Sequence, residues 1–209
     1  MLGKIISFEG IEGTGKSTQI QRLKIFLESK NIEVLMIREP GNTYIGEQIR
    51  HLLQHDPNVH NMCPETELLL FEASRAQLVR ELILPALNEK KWIICDRFFD
   101  SSAAYQGAAR QLPKEIVEQF NRFAVGNCVP NLTILLDIDV EIALQRLQQR
   151  KEKKDRIESE SIEFFRRVRE KYLQLAREES SRFFTIDATL SEKVIAEKIC
   201  TYVQERFAL

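Results

Sequence analysis

The sequence predicts an α/β protein built on a five-stranded parallel sheet with helices on both faces. Short apolar runs rich in β-forming residues alternate with longer amphipathic segments along the chain. The short runs, such as "WIICD" and "LTILLD", are continuously apolar rather than alternately apolar and polar. Continuous hydrophobicity is typical of strands that are covered on both sides, as in a parallel sheet between two layers of helices.

Five strands are expected, and helical periodicity follows each of them. The strand segments are "KIISFEG", "EVLMIREP", "KWIICDR", "LTILLDID" and "FFTIDA". The helical segments are residues 17–29, "IGEQIRHLLQH", "ETELLLFEASRAQLVRELIL", two stretches ending near Phe123, "VEIALQRLQQR" and "SEKVIAEKICTYVQERF". The third helical segment is apolar nearly all round, and Pro85 is expected to end or kink it because proline lacks a backbone N–H.

The bulk composition limits the classes of partner. The 209 residues are 44% hydrophobic, and 30 basic residues balance 31 acidic ones to give a net charge of -1. No overall basic field therefore favours a nucleic acid or a membrane as partner. The four cysteines form no C-x-x-C pair, and no run of about 18 apolar residues occurs. We expect a soluble, cytoplasmic protein with one buried core.

A phosphate-binding loop follows the first predicted strand. "GIEGTGKS" matches the pattern G-x-x-x-x-G-K-[ST] and lies between a strand and a helix, as that motif requires. Backbone N–H groups and the helix N-terminus would surround phosphate oxygens, Lys16 would add positive charge, and the Ser17 hydroxyl would bind Mg²⁺. The residues expected at the nucleotide are Gly10, Ile11, Glu12, Gly13, Thr14, Gly15, Lys16, Ser17 and Thr18. The sequence thus predicts a P-loop NTPase that binds ATP or GTP.

The other class of protein with this loop is the signalling GTPase. Those proteins need an N-K-x-D segment to read guanine and a D-x-x-G switch, and neither string occurs in the chain. The pattern therefore favours an enzyme that transfers a phosphoryl group over a GTPase switch.

Three further segments lie near the carboxyl ends of predicted strands, where open α/β sheets bind ligands. They are "REPGNT", "FEASR" and "DRFFDSSAAYQG". Together with the phosphate loop, and with the later "DRIESES", "FFRRVREKY" and "TIDAT", they make the chain resemble the thymidylate kinases from end to end. That family makes dTDP from dTMP and ATP. The resemblance implies a dTMP kinase for dTTP synthesis, a homodimer, and an interface on the apolar helix at residues 65–84.

The resemblance also implies which residues bind the base of the acceptor. Phe71 is expected to stack on the thymine ring, and Arg75, one helical turn later, to hydrogen-bond its exocyclic oxygen. Ser102 and Gln106 are implied as further acceptor-binding residues. Because the Ser102 hydroxyl can donate or accept a hydrogen bond, the use of dUMP stays open.

Other residues are implied at the acceptor's phosphate and sugar. Arg97 is expected to hold the phosphate with its forked guanidinium, with Arg38 nearby. Glu12 is expected to point away from the phosphate loop and accept a hydrogen bond from the 3′-hydroxyl. The Tyr105 ring is expected to pack against the 2′ carbon, where it would exclude a 2′-hydroxyl by steric clash.

Two aspartates that end apolar strands are candidates for the metal. Asp96 is expected to meet Mg²⁺ through water or to align the attacking phosphate, and Asp137 is the alternative. Near Arg38, Asn42 replaces the second glycine of the family's Arg-Glu-Pro-Gly-Gly-Thr segment. Asparagine tolerates a left-handed backbone, so we expect the turn to persist.

The charge run "RKEKKDR", residues 150–156, predicts a small basic lid. The variable loop residues 11–14 include no basic side chain, so the resemblance points to a catalytic arginine in a lid at about residues 146–157 of a single domain, 1–209. Arg150 is the first choice, and Arg156 and Arg146 follow. The alternatives are a deoxynucleoside kinase that acts on a 5′-hydroxyl and a nucleotide-binding regulator.

Overall fold

The computed structural model describes residues 3–59, 61–149 and 155–209. The described residues form one five-stranded sheet, in which every neighbouring pair of strands is parallel. The strands are β1 (Ile5–Glu9), β2 (Val34–Arg38), β3 (Trp92–Asp96), β4 (Leu132–Asp137) and β5 (Phe183–Asp187). Their order across the sheet is β2-β3-β1-β4-β5. The predicted α/β fold is therefore confirmed.

The helices lie between successive strands and after the last one. They are α1 (Lys16–Ser29), α2 (Tyr44–Arg50), α3 (Pro64–Leu78), α4 (Leu84–Asn88), α5 (Phe99–Ser102), α6 (Lys114–Val125), α7 (Val140–Gln148), α8 (Ile162–Glu178) and α9 (Glu192–Phe207). Three π-helical segments, with a wider turn than an α-helix, directly continue α2, α3 and α5. They are His51–His55, Val79–Ile83 and Ala103–Ala109.

The two faces of the sheet form separate parts of the core. Ile6 and Ile94 pack in a cluster with residues of α1, α8 and α9. The preceding residue in each strand, Ile5 or Ile93, packs with residues of α3, the following π-helical segment and α6. Successive side chains of a strand point to opposite faces, so both faces of the central strands are covered by helices. This double burial accounts for the continuously apolar strands in the sequence.

Of the two effects expected of Pro85, an end to the long helix does not occur. The helix continues through Pro85 to Asn88, and the π-helical segment Val79–Ile83 comes just before. A proline ring clashes with the carbonyl group four residues earlier, here that of Glu81. The wider π-helical turn changes the hydrogen bonding at that point, so the chain accommodates the proline within the helix.

The ends of the helices at the carboxyl edge of the sheet prepare a site. The Thr43 hydroxyl accepts a hydrogen bond from Gly46 N–H and caps α2, whereas the first turn of α1 is not capped by any side chain that the structure describes. The amide groups at the start of α1 therefore face the carboxyl ends of β1 and β3 with their donors available. No helix in the described ranges is both long and apolar enough to cross a membrane.

Candidate active site

The phosphate loop, residues 10–18, joins β1 to α1 in a shape held by its own atoms. Lys16 Nζ donates hydrogen bonds to the carbonyl oxygens of Gly10 and Ile11, both at 3.0 Å. The Thr14 hydroxyl also donates to Ile11 O, at 3.0 Å. Burial, followed by the positive charge of Arg97, lowers the pKa of Lys16 to about 8. The loop thus places an ammonium group and a set of amide N–H groups where a polyphosphate would bind.

Two oxygen atoms that could bind a metal ion lie close together at the start of α1. The Ser17 hydroxyl donates a hydrogen bond of 3.2 Å to Asp96 Oδ2 at the end of β3. An exposed hydroxyl beside a carboxylate fits Mg²⁺, which prefers oxygen ligands and completes its octahedron with water and phosphate oxygens. The alternative carboxylate, Asp137, instead accepts two hydrogen bonds from Arg169, at 2.7 and 3.1 Å. The geometry favours Asp96 as the metal-side carboxylate.

The carboxylate of Glu12 points away from the phosphate loop. Its Oε1 accepts a hydrogen bond of 2.9 Å from Arg97 Nη2. Tyr105 OH lies 2.9 and 2.8 Å from the two carboxylate oxygens and donates to them. The Arg97 guanidinium also lies over the Tyr105 ring, 5.0 Å from its centroid. Glu12 is therefore directed to the side of the cleft where the sequence places the second substrate.

Arg97 has an uncommon backbone conformation, and its side chain is held by a network that the sequence did not reveal. Its φ of 69° lies in the left-handed region, which is rare for a residue with a side chain. Its Nη1 donates to Tyr172 OH at 3.2 Å and to Ser101 Oγ at 3.4 Å. Both hydroxyls in turn donate to Glu9 Oε2, each at 2.7 Å. The fully buried Glu9 thus fixes the two groups that orient Arg97.

The burial of Glu9 predicts that the stability of the protein depends on pH. Burial, and then the negative charge of Asp100, raise the pKa of Glu9 from 4.5 to about 7. The folded state therefore binds this proton more tightly than the unfolded state does. The resulting stabilisation of the folded state is fully present below pH 4.5 and is lost as the pH rises through 7. We expect Glu9→Gln to lack this dependence. Relative to wild type, the variant should gain up to about 3 kcal/mol of unfolding free energy across that interval.

Urea denaturation of both proteins at a series of pH values measures this difference. Stability curves that stay parallel between pH 4.5 and pH 7 would show that folding does not raise the pKa of Glu9.

A narrow pocket opens next to Glu12, Arg97 and Tyr105. Its remaining wall includes Pro40, Gln54, Phe71, Ser101, Ser102, Gln106, Asp155 and Ile157. Phe71 is half-buried, so one part of its ring packs on the core while another part faces the pocket. An aromatic ring in such a wall suits stacking on a planar base.

Arg75 lies behind this wall and is buried to 1% exposure. It donates to Glu39 Oε2 at 2.6 Å from Nη2 and at 2.8 Å from Nε. Its Nη1 contacts Glu72, Ser102 and Asn121. Two of these partners, Glu39 and Ser102, line the pocket, whereas Arg75 does not. To reach a base directly, Arg75 would have to exchange one of these partners.

Two arginines besides Arg97 line a cleft next to the phosphate loop that also contains Lys16 and Asp96. Arg38 binds Glu47 at 3.0 Å, and Arg50 donates to Pro40 O at 3.0 Å. Asn42 adopts the left-handed conformation expected of it, with φ 67°. Arg50 was missed in the sequence because the helical segment "IGEQIRHLLQH" gave no sign that its arginine turns to the cleft.

The lid candidates fall into three situations. Arg150 lies outside the described residues. Arg146 belongs to α7 and donates to Ala188 O at 2.9 Å. Arg156 donates from Nε to Leu53 O at 2.8 Å, and its Nη2 lies 2.6 Å from Glu67 Oε2. Of the two described candidates, only Arg156 lies next to the pocket, since its neighbours Asp155 and Ile157 line it.

Comparisons with known proteins identify the family of the chain. A family model described as thymidylate kinase matches residues 8–199. A thymidylate kinase of Kosmotoga olearia is 50% identical over 194 residues, which cover 93% of this chain and 92% of the relative. One of Protochlamydia amoebophila is 42% identical over 212 residues, covering 99% and 94%. The crystal structure of thymidylate kinase from Ehrlichia chaffeensis superposes with a TM-score of 0.78 at 29% identity, covering 98% of this chain and 100% of that one.

Proposed function

Because the chain belongs to the thymidylate kinase family, we propose that its cleft transfers the γ-phosphoryl group of ATP to dTMP, with the residue roles given below. The products are dTDP and ADP, so the enzyme serves dTTP synthesis. One observation carries the assignment. Glu12 belongs to the phosphate loop, yet its carboxylate binds Arg97 and Tyr105 on the acceptor side, so the two substrate sites meet at this residue.

On the donor side, we assign ATP to residues 10–18. The amide groups of the loop and Lys16 Nζ would bind the β- and γ-phosphates. Ser17 and Asp96 would hold Mg²⁺, which would supply positive charge to offset that of the phosphates. The hydrogen bond of 3.2 Å between these two side chains supports the assignment.

On the acceptor side, we assign the base to the wall of the pocket that contains Phe71, Ser102 and Gln106, with Arg75 behind it. The acceptor phosphate would lie between Arg97 and Arg38, next to the phosphate loop. The 3′-hydroxyl would donate to Glu12, and the Tyr105 ring would occupy the space that a 2′-hydroxyl needs.

In the reaction, an oxygen of the acceptor phosphate attacks the γ-phosphorus in line. A new P–O bond forms, the bond to the β-phosphate oxygen breaks, and ADP leaves with that oxygen's electron pair. Lys16 and Arg97 would stabilise the negative charge on the transferring group. An arginine of the lid would add further positive charge near the transferring group. Arg150 is the first candidate, and Arg156 would have to leave Glu67 to take part.

We further propose a single domain with a lid at about residues 146–157, a homodimer and a cytoplasmic location, with no nucleic-acid or membrane partner. Leu69 on α3 and Leu84 on α4 are 49% and 42% exposed, and Phe123 on α6 is 75% exposed. A second copy of the chain would remove these apolar side chains from water. All four cysteines, which lie in the described ranges, are free thiols, as expected in a reducing compartment.

The decisive experiment incubates the purified protein with Mg-ATP and one acceptor at a time. The acceptors are dTMP, dUMP, dCMP, dGMP, AMP and thymidine, and ADP formation and product identity are followed. Selective formation of dTDP is expected. Turnover of thymidine without dTMP would make the chain a deoxynucleoside kinase, and no turnover with any acceptor would favour the nucleotide-binding regulator.

The Mg²⁺ assignment gives a second prediction. Asp96→Asn should raise the Mg²⁺ concentration for half-maximal turnover by about 10-fold or more, because a neutral amide is a weaker partner for the hydrated ion. Asp137→Asn is the matched control, since its carboxylate binds Arg169 rather than Ser17. It should lower the melting temperature without changing the Mg²⁺ titration. A shift in Asp137→Asn but not in Asp96→Asn would exchange the two roles.

A further inference from the structure

Below the acceptor pocket, one buried carboxylate joins three parts of the chain. Glu67 on α3 is 1% exposed. It accepts hydrogen bonds from Gln106 Nε2 at 2.8 Å and from Arg110 Nε and Nη2 at 3.1 and 3.0 Å. Its Oε2 lies 2.6 Å from Arg156 Nη2, on the lid side. We call Glu67, Gln106, Arg110 and Arg156 the Glu67 cluster.

We propose that Glu67 is a positioning residue that fixes the acceptor pocket from below and ties the lid to it. The inference rests on the proposed function, since it concerns how the same pocket selects its base. Glu67 acts through Gln106 and Arg156 and does not itself touch the substrate.

The first support is electrostatic. A buried carboxylate is costly unless its oxygens are satisfied, and here two arginines and an amide supply the partners. Burial alone would raise the pKa of Glu67, but the hydrogen bonds from Arg110 and Gln106 and the charge of Arg156 hold it below its usual value. Glu67 is therefore an anion whose two oxygens are held in fixed positions. An ionised carboxylate can only accept hydrogen bonds.

The second support is the orientation of Gln106. Its side-chain nitrogen has to face Glu67, because the opposite orientation would bring two acceptor oxygens together at 2.8 Å. Gln106 lines the pocket with Phe71 and Ser102, and the amide oxygen is the polar side-chain atom that it has left for a ligand there. An amide oxygen accepts a hydrogen bond from a ring N–H. Thymine and uracil carry one at N3, whereas N3 of cytosine is itself an acceptor.

The third support is the attachment of the lid. Arg156 is anchored to Leu53 O by Nε, and its contact with Glu67 is an ion pair without good hydrogen-bond alignment. Its neighbours Asp155 and Ile157 line the pocket. The negative charge of Glu67 therefore holds Arg156 next to the pocket wall. The same carboxylate orients the amide of Gln106 in that wall. Glu67 is also one helical turn before Phe71 on α3.

The test compares Glu67→Gln with Glu160→Gln. Glu160 is a matched control because it pairs with Arg110 at 2.6 Å, but from the outer side of that arginine. The measurements are kcat and KM for dTMP, dCMP and ATP, together with the melting temperature. For Glu67→Gln we expect the KM for dTMP to rise about 10-fold or more, because Gln106 and Arg156 lose their fixed partner. The KM for ATP should stay unchanged, and the preference for dTMP over dCMP should decrease. Glu160→Gln should match wild type in all three respects.

Glu67→Asp keeps the negative charge beside the arginines but withdraws the carboxylate from Gln106, so it decides the question if Glu67→Gln fails to fold. A selective rise in the KM for dTMP supports the inference. An unchanged KM for dTMP, or equal rises in KM for dTMP and ATP with an unchanged preference over dCMP, would overturn it. If wild type phosphorylates dTMP and the Glu67 variants have the same kinetic constants as wild type, only this inference fails. If wild type does not use dTMP, the proposed function fails first.

Discussion

Replacing Arg97 with methionine should lower kcat/KM for dTMP by about 10³-fold. Methionine keeps an unbranched apolar side chain but removes the guanidinium, which lies over the Tyr105 ring. The acceptor phosphate would lose a forked, charge-assisted donor. In addition, the carboxylate of Glu12, now bonded to Arg97 at 2.9 Å, would face the incoming phosphate without its counter-charge. Both effects act against the same step.

Initial rates at varied dTMP and at varied ATP measure the effect. Arg166→Met is the matched control, because this arginine lies on α8, is 52% exposed and pairs only with Glu141 and Glu163 among the described side chains. The control should retain wild-type kinetics. Wild-type turnover in Arg97→Met would move phosphate binding to Arg38 or Arg50.

Replacing Gly13 with alanine should destabilise the protein by about 3–5 kcal/mol, adding steric overlap to the strain of a left-handed backbone. Gly13 has φ 80°, and a Cβ atom there would lie 2.4 Å from the carbonyl oxygen of Ala143. That oxygen belongs to the backbone of α7, so it cannot move aside like the end of a flexible side chain. The phosphate loop and α7 would have to separate.

Gly15→Ala is the matched control within the same loop. Its φ of 87° is also left-handed, but a Cβ atom there would meet nothing within 4 Å among the described residues. The expected cost is that of the backbone strain alone, about 1–2 kcal/mol. Chemical denaturation of the two variants measures the difference. Equal stabilities would show that α7 yields to the added methyl group.

The fold and the phosphate loop could be predicted because their signals are local. Five apolar runs mark the five strands, and the central strands β1, β3 and β4 are buried along nearly their whole length. The phosphate loop "GIEGTGKS" carries its glycines, lysine and serine within eight residues. The resemblance to thymidylate kinases likewise depended on short segments, and the family was confirmed. Asn42 kept its turn for a local reason, since asparagine tolerates the left-handed backbone and its partners, Arg38 and Glu47, are only four and five residues away.

The partners of those residues could not be predicted, because they come from distant parts of the chain. Glu9 is 163 positions from Tyr172, and Glu67 is 39 positions from Gln106. The sequence showed Glu9 only as an acid at the end of a strand, and Glu67 only as one of several acids near the start of a helix. Which acid faces inward depends on how α3, α8 and the π-helical segment after α5 pack together. The Asp96 assignment, the base contacts of Arg75 and the role of Arg150 stay predictions.

The hydrogen bonds from Lys16 to the carbonyl oxygens of Gly10 and Ile11 have a thermodynamic consequence. Fixing one residue's backbone costs about 1–2 kcal/mol of conformational entropy. Because the chain's own lysine already holds the loop in shape, this ordering cost is met when the protein folds and not when the nucleotide arrives. The ammonium group needs only to exchange carbonyl oxygens for phosphate oxygens. Binding of ATP should therefore show a small entropic penalty and a fast association rate, as expected for a preorganised site.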